Sequence, residues 1–231
     1  MFDKYALTVD ENIHVLKKLL SEGQLLTPMD APEGTYDVLL VDCNLEFFSD
    51  KIINDNMKSS GFFLIDRQLV INYKNAWRDI LNTINDNITV DYWIEINALI
   101  LYKVSGPLEP AGIIRYTDID IGNINYKPKI PKRECFESSL SRILTTNKTI
   151  TEKAIELYLY GCKTQNFYNA NKRTSFLIAN KLLVQNGTGV MANSFDDVGN
   201  DKFKKLLKDY YETGNDIKIK NYIYKSYITI G

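Results

Sequence analysis

Apolar residues recur at helical spacing over residues 9–22 (VDENIHVLKKLLSE), where Ile13, Val15, Leu16, Leu19 and Leu20 predict a short amphipathic helix. A Pro- and Gly-rich loop follows at 27–37 (TPMDAPEGTYD). Residues 38–48 (VLLVDCNLEFF) fit a buried strand or a helix equally well. Residues 61–73 (GFFLIDRQLVINY) are β-branched and aromatic, with a polar DRQ interruption, and predict a hairpin. Helical patterns then occupy 75–86 (Trp77, Ile80, Leu81, Ile84) and 90–103 (Trp93, Ile94, Ile96, Leu99, Ile100). Between 111 and 131, Tyr116, Asp118 and Asp120 alternate with Thr117, Ile119 and Ile121 ahead of Gly122-Asn123, the pattern of a proline-ended β-hairpin. Helices are expected at 133–145 and 151–162, the second opened by a Thr149/Glu152 capping box. Another follows the loop at 165–174 and stops at Asn186-Gly187, and a lysine-rich one covers 203–212. The tail 216–230 (DIKIKNYIYKSYITI) alternates strictly enough to predict strands. No repeat or low-complexity segment interrupts the pattern.

Composition changes this picture only by exclusion. The chain has 231 residues, 45% of them apolar, enough for a real core. A formal net charge of −1 gives no global pull toward nucleic acid or acidic membranes. Tyrosine is frequent, at 15 residues, but a biased genome accounts for Tyr, Asn, Ile and Lys together. Cys43, Cys135 and Cys162 are odd in number and widely spaced, which argues against a disulfide framework or structural zinc and fits a reducing compartment. There is no signal-peptide pattern and no apolar run near the roughly 18–20 residues that span a bilayer. The expected location is the cytoplasm.

Chemistry concentrates in 165-QNFYNANKRTSFLIANKLL-183. A turn-prone Asn169-Ala170-Asn171 leads into a helix whose first N–H groups lack intrahelical partners and carry the positive dipole end, a place that favours an anion. Lys172 and Arg173 add two cations there, where a phosphate chain would offset their charge. Charge pattern alone fits equally an ordinary helix start with solvated cations.

Residue order narrows this. Gln165-x-Phe167-x-Asn169-Ala170-Asn171-Lys172-Arg173-Thr174 resembles the Fic/Doc (Fido) signature: His, any, Phe, any, Asp or Glu, Gly or Ala, Asn, Gly or Lys, Arg. The Ala-Asn-Lys-Arg-Thr run is most similar to the Doc-type branch. Gly112-Ile113-Ile114-Arg115, Ile119-Asp120-Ile121-Gly122 and Tyr126-Lys127-Pro128 resemble that family's upstream flap, in the same order. The resemblance covers about residues 75–212. It implies a mainly α (α+β) fold: a Fic-type helical core over 75–215 with a β-hairpin flap. Around it stand an N-terminal extension (1–74) of unknown role with some strand content, and a β-like tail (216–231).

The resemblance also implies a function. The loop would bind the phosphates of a nucleotide triphosphate, usually ATP, with Mg²⁺ as a candidate partner. Asn171 would hold the phosphates, Lys172 and Arg173 would neutralise them, and Phe167 would anchor the loop. The flap, through Gly112, Ile113, Ile114, Arg115, Ile119 and Ile121, would take an extended segment of a protein target by β-augmentation. AMP transfer (AMPylation), or phosphoryl transfer as in Doc, onto a target hydroxyl is the implied reaction. An antitoxin or other regulator is a candidate partner, as in toxin–antitoxin systems; neither nucleic acid nor membrane is expected.

Two departures bear on the reaction. Gln165 stands at the histidine position, and a carboxamide has no useful basicity near neutral pH. Losing a general base costs roughly 10²–10⁴ in rate. Asn169 stands at the acidic position and is a weak ligand for a hard cation. The only histidine, His14, lies in the N-terminal helix; Tyr168 is close in sequence, but an unperturbed phenol has a pKa of about 10. The inhibitory-helix pattern of the family is absent; Thr8-Val9-Asp10-Glu11-Asn12 has the wrong spacing. The expected protein therefore binds nucleotide with its ordinary AMP-transferase chemistry weakened or lost. The alternative is an active transferase of altered chemistry, nucleotidyl or phosphoryl.

Overall fold

Thr8 starts the first helix with a reciprocal cap. Its Oγ1 accepts from Glu11 N (3.2 Å), while the Glu11 carboxylate accepts from Thr8 N (2.7 Å) and from the Thr8 hydroxyl (2.8 Å). Helix α1 (Val9–Ser21) then turns Leu16, Leu19 and Leu20 inward. Asn12 Nδ2 donates to Leu183 O (3.1 Å) and Gly189 O (2.9 Å), so this helix is docked on later chain. The computed structural model describes residues 1–21, 64–121, 124–192 and 197–231. The loop expected at 27–37 and the segment 38–48 lie outside the described residues.

The hairpin expected at 61–73 is not formed in its described part: Leu64–Asn82 is helix α2. Tyr73, Ala76, Trp77 and Ile80 are all buried on it, at three- and four-residue intervals. β-Branched and aromatic content suggested strands, but burial of that single face decided the conformation. Helix α3 (Val90–Ile100) is capped by Thr89, whose hydroxyl accepts from Tyr92 N (3.0 Å), and buries Trp93, Ile96 and Ile100.

Residues 111–131 also depart from expectation. Among the described residues they contain no ladder-paired hairpin, and their one strand-like contact is an isolated antiparallel bridge, Ile114 with Phe167. The expected turn, Gly122-Asn123, lies outside the described residues. The backbone that would pair across a hairpin is spent on the motif loop: Arg115 N donates to Asn166 O (3.0 Å) and Tyr116 N to the Tyr168 hydroxyl (3.2 Å).

Helices α4 (Arg133–Thr145), α5 (Ile150–Thr164) and α6 (Asn171–Gln185) follow, close to expectation. Thr149 caps α5, accepting from Glu152 N at 3.3 Å. Helix α6 is the centre of the molecule, buried without interruption from Arg173 to Val184. It approaches α5 closely because Gly161 faces Ser175; a Cβ on Gly161 would sit 2.5 Å from the Ser175 Cβ. Helix α6 stops where expected, with Gly187 at φ +65° beneath the Leu7 carbonyl.

Strand β1 (Val190–Met191) pairs antiparallel with β2 (Ile228–Thr229). Between them lie α7 (Asp197–Thr213), longer than the expected 203–212, and α8 (Ile217–Ser226). The tail is thus helical except for β2, correcting the strand reading. Ile219, Ile223 and Tyr227 are the fully buried positions, spaced by four, whereas Ile217 is exposed. Lysines between them imitated a period of two. Residues of α1, α2, α8 and β2 all belong to one apolar core with α3–α6.

Within that core Lys181 is fully buried; its ammonium donates to Thr83 O and Oγ1 and lies 4.5 Å from the Tyr92 ring centroid. Burial lowers its pKa from 10.5 to about 8. Between those values the unfolded chain binds the proton and the folded chain releases it, so stability rises with pH. Relative to Lys181→Met, the wild type should gain roughly 1 kcal/mol between pH 7.5 and 9.5 in urea unfolding, after discounting for water reaching the ammonium. A flat difference would contradict this burial effect.

Candidate functional site

The motif loop is strained at both ends. Gln165 ends α5 in the left-handed region (φ 48°, ψ 59°), and Ala170 enters α6 likewise (φ 59°, ψ 19°). Non-glycine residues seldom adopt this conformation, and such strain persists where surrounding contacts over-determine it. Here the contacts are dense. Asn171 is buried, with Oδ1 accepting from Phe167 N (2.9 Å) and Nδ2 donating to Phe167 O (2.8 Å) and Gln165 Oε1 (3.0 Å). Gln165 Nε2 donates to Cys162 O (2.6 Å). Both ends of the Gln165 carboxamide are therefore held by the loop itself. Phe167 is buried and packs edge-on against Phe136.

Ala170 supplies no side-chain cap to the first-turn N–H groups of α6. Lys172 and Arg173 stand in that turn, half-buried and buried respectively. Asn169 is exposed; its Oδ1 accepts from Ala170 N (2.7 Å) and from Arg173 Nη2 (3.4 Å), and its Nδ2 donates to Glu109 (3.0 Å). The donor set suits phosphate oxygens. It suits a divalent cation poorly: Asn169 Oδ1 is already engaged, and among the described residues no three His, Cys, Asp or Glu side chains gather around a metal position.

The flap residues are brought to the loop by one side chain. Arg115 is 1% exposed and donates only to carbonyls: Nε to Gln165 O (2.5 Å), Nη1 to Thr117 O (2.8 Å), and Nη2 to Lys129 O (2.5 Å), Pro128 O (3.3 Å) and Thr164 O (3.4 Å). Desolvation lowers its pKa, with Asp118 acting against that. Ile114 is half-buried beside Phe167, Ile113 is exposed, and Ile119 and Ile121 are half-buried. Gly112 has φ +63°; its N donates to Asn97 Oδ1 (2.9 Å), and a Cβ would meet the Ala98 Cβ at 2.7 Å.

Several positioning residues escaped the sequence reading. Asn97 is buried on α3 and its Nδ2 donates to Asn169 O (3.0 Å) and Thr174 Oγ1 (3.1 Å), so it ties α3, flap, loop and α6 together. Its signal was present: a polar residue on the face shared by Trp93, Ile96 and Ile100. Tyr211 hydrogen-bonds Gln165 from α7, and burial raises its phenol well above the usual range. Burial likewise pushes the Cys162 thiol up to about 12, which makes it inert at neutral pH. His14 is exposed on α1, a helix docked where α6 ends. The loop lies at the other end of α6, about 20 Å away at 1.5 Å per residue.

Residues 87–183 match the model of the Fic/DOC family, a span holding α3, the flap, the loop and most of α6. A Fic-domain-containing signaling protein from Bacteroides thetaiotaomicron superposes with a TM-score of 0.67 at 15% identity, covering 95% of this chain and 85% of its own. The fold is that of a Fic domain. Fic-1 from C. elegans has the same architecture, with a TM-score of 0.61 at 14% identity over 92% of this chain and 70% of that one. A second structure of the worm protein gives 0.59 at 18% identity, with 78% of this chain and 55% of that one covered. No curated protein matches the chain. The Fic fold accounts for a mainly helical chain in which α1, α7 and α8 surround the matched segment. Among the described residues no helix is long and apolar enough to cross a membrane.

Proposed function

We propose that this chain is a Fic/DOC-family domain that binds the phosphates of a nucleotide, ATP first, at the start of α6, with ordinary AMP transfer weakened or lost. The single observation that carries the reading is the uncapped first turn of α6 with Lys172 and Arg173 in it. Asn171 contributes through its backbone N–H, since its carboxamide braces the loop. Arg173 offers a planar fork and Lys172 a point charge to the phosphate oxygens. A bound Mg²⁺ would be held chiefly by the nucleotide's own phosphates, because Asn169 brings no carboxylate.

The reaction fails at the proton. Gln165 takes the place of the family's histidine, and its amide can bond a target hydroxyl but cannot accept its proton. The strip 113–121, with Ile113 and Tyr116 exposed at 44% and 71%, would receive an extended protein segment, presenting that hydroxyl. A second reading, transfer of altered chemistry, draws on Glu109, whose carboxylate reaches Asn169 and adds an acidic group beside the loop.

Calorimetric titration with ATP and GTP, with and without Mg²⁺, tests the proposal. Saturable binding that changes little with Mg²⁺ and is abolished in Lys172→Ala/Arg173→Ala is expected. Absence of binding for every nucleotide, or binding unaffected by the double substitution, would overturn it.

A further inference from the structure

A cavity of about 500 Å³ lies behind the flap exit, between residues 126–132, α4 and the end of α5. Thr164 and Asn166 line it, but none of residues 167–173 does, so it touches the motif loop only at Asn166 and does not reach the first turn of α6. Its wall is apolar and aromatic: Ile130, Phe136 and the Tyr160 ring. At its inner end Asn166 is 2% exposed, and its Nδ2 is buried with no hydrogen-bond partner. An unpaired buried donor is costly, about 1–3 kcal/mol, and calls for an acceptor. Asn166, Ser139 and Thr164 approach the Tyr160 hydroxyl as hydrogen-bonding side chains, and the Asn166 contact falls outside hydrogen-bond geometry, so it does not satisfy the Nδ2. Burial raises the Tyr160 pKa, so that phenol stays a neutral donor.

The rim has one sign of charge. Lys127, Lys129 and Lys132 border the cavity, and none of its described lining residues is acidic. Lys127 is already paired with Asp118 at 2.9 Å, leaving Lys129 and Lys132 to face the opening. Apolar walls, an inner donor and a cationic rim together define a ligand. We infer that this cavity is a binding site for a small acidic amphiphile, its apolar body against Phe136 and Ile130, a hydrogen-bond acceptor at Asn166 Nδ2 and its anionic group at Lys129 and Lys132. A volume of this size is in the ordinary range for small-molecule sites, roughly 300–1,000 Å³. The site is also wired to the motif loop. Arg115 holds the carbonyls of Pro128 and Lys129 at the rim and those of Thr164 and Gln165 at the loop.

The test uses two fluorescent probes on the full chain, 8-anilinonaphthalene-1-sulfonate as an aromatic anion and uncharged N-phenyl-1-naphthylamine. The anion should bind saturably at one site per chain. Ser139→Trp, which fills the cavity, should weaken both probes at least about tenfold. Lys129→Glu/Lys132→Glu, confined to the exposed rim, should weaken the anion about tenfold and leave the neutral probe within about twofold, as one desolvated charge contact implies. Absence of saturable anion binding to the wild type would overturn the inference. So would equal effects of the rim substitutions on both probes, a result that also decides the matter should Ser139→Trp not fold.

Discussion

Arg115→Ala should destabilise the protein by about 3–5 kcal/mol, one of the largest losses any single substitution outside the apolar core can cause. The carbonyls of Gln165, Thr164, Thr117, Pro128 and Lys129 all accept from this one guanidinium. Its removal leaves them buried without a donor at about 1–3 kcal/mol each, with water recovering part. For a chain of this length that corresponds to a fall of about 10 °C in Tm. Arg115→Lys should recover little, because an ammonium on a single stem cannot reach carbonyls spread around a planar fork. Urea unfolding gives the energy, and hydrogen exchange at residues 164–168 should show the loop opening before the core. Arg115→Met presents the sharpest challenge, since an apolar residue can replace a buried charge at no net cost. Wild-type stability in Arg115→Met would show that the clasp is dispensable.

Gln165→His should raise AMP transfer from α-labelled ATP by roughly 10²–10⁴, the value of a positioned general base. The backbone tolerates the change. Gln165 sits in the left-handed region, which histidine enters several-fold more readily than most residues. The substitution gives up the bonds to Cys162 O and from Asn171, and gains a group that titrates near neutrality. Adding Asn169→Asp should make the restored activity depend on Mg²⁺, because a carboxylate then stands at the family's metal position. If Gln165→His leaves transfer unchanged or lower, the wild type runs different chemistry and its Gln165 belongs to that chemistry.

Much of this molecule was legible from its residues, for stated physical reasons. The stop at Gly187 followed from its positive φ, and α1, α3, α4 and α5 followed from one-sided apolar spacing, while α6, buried all round, was marked by the apolar run between the motif loop and Asn186-Gly187. Local order from Gln165 to Thr174 set where the motif residues fall, at the end of α5 and in the first turn of α6. What failed was any inference from residue type without burial. Residues 64–73 and 217–226 carry strand-forming side chains, yet Tyr73/Trp77 and Ile219/Ile223 are buried at four-residue spacing. The flap was misread for another reason. Residues 116–121 alternate in type, but the backbone bonds at the start of that stretch go to the motif loop some 50 residues later, Arg115 N to Asn166 O and Tyr116 N to the Tyr168 hydroxyl. Long-range partners such as Asn97 to Asn169, or Tyr211 to Gln165, leave only a weak trace in sequence: a polar residue on an otherwise apolar face.

The proposed function depends on phosphates binding at the first turn of α6. A crystal soaked with ATP tests that directly. The account predicts phosphate density within about 3 Å of the first-turn N–H groups and of the Arg173 guanidinium, with Gln165 still bonded to Asn171. A nucleotide seated elsewhere, with this turn bound only to water, would contradict it.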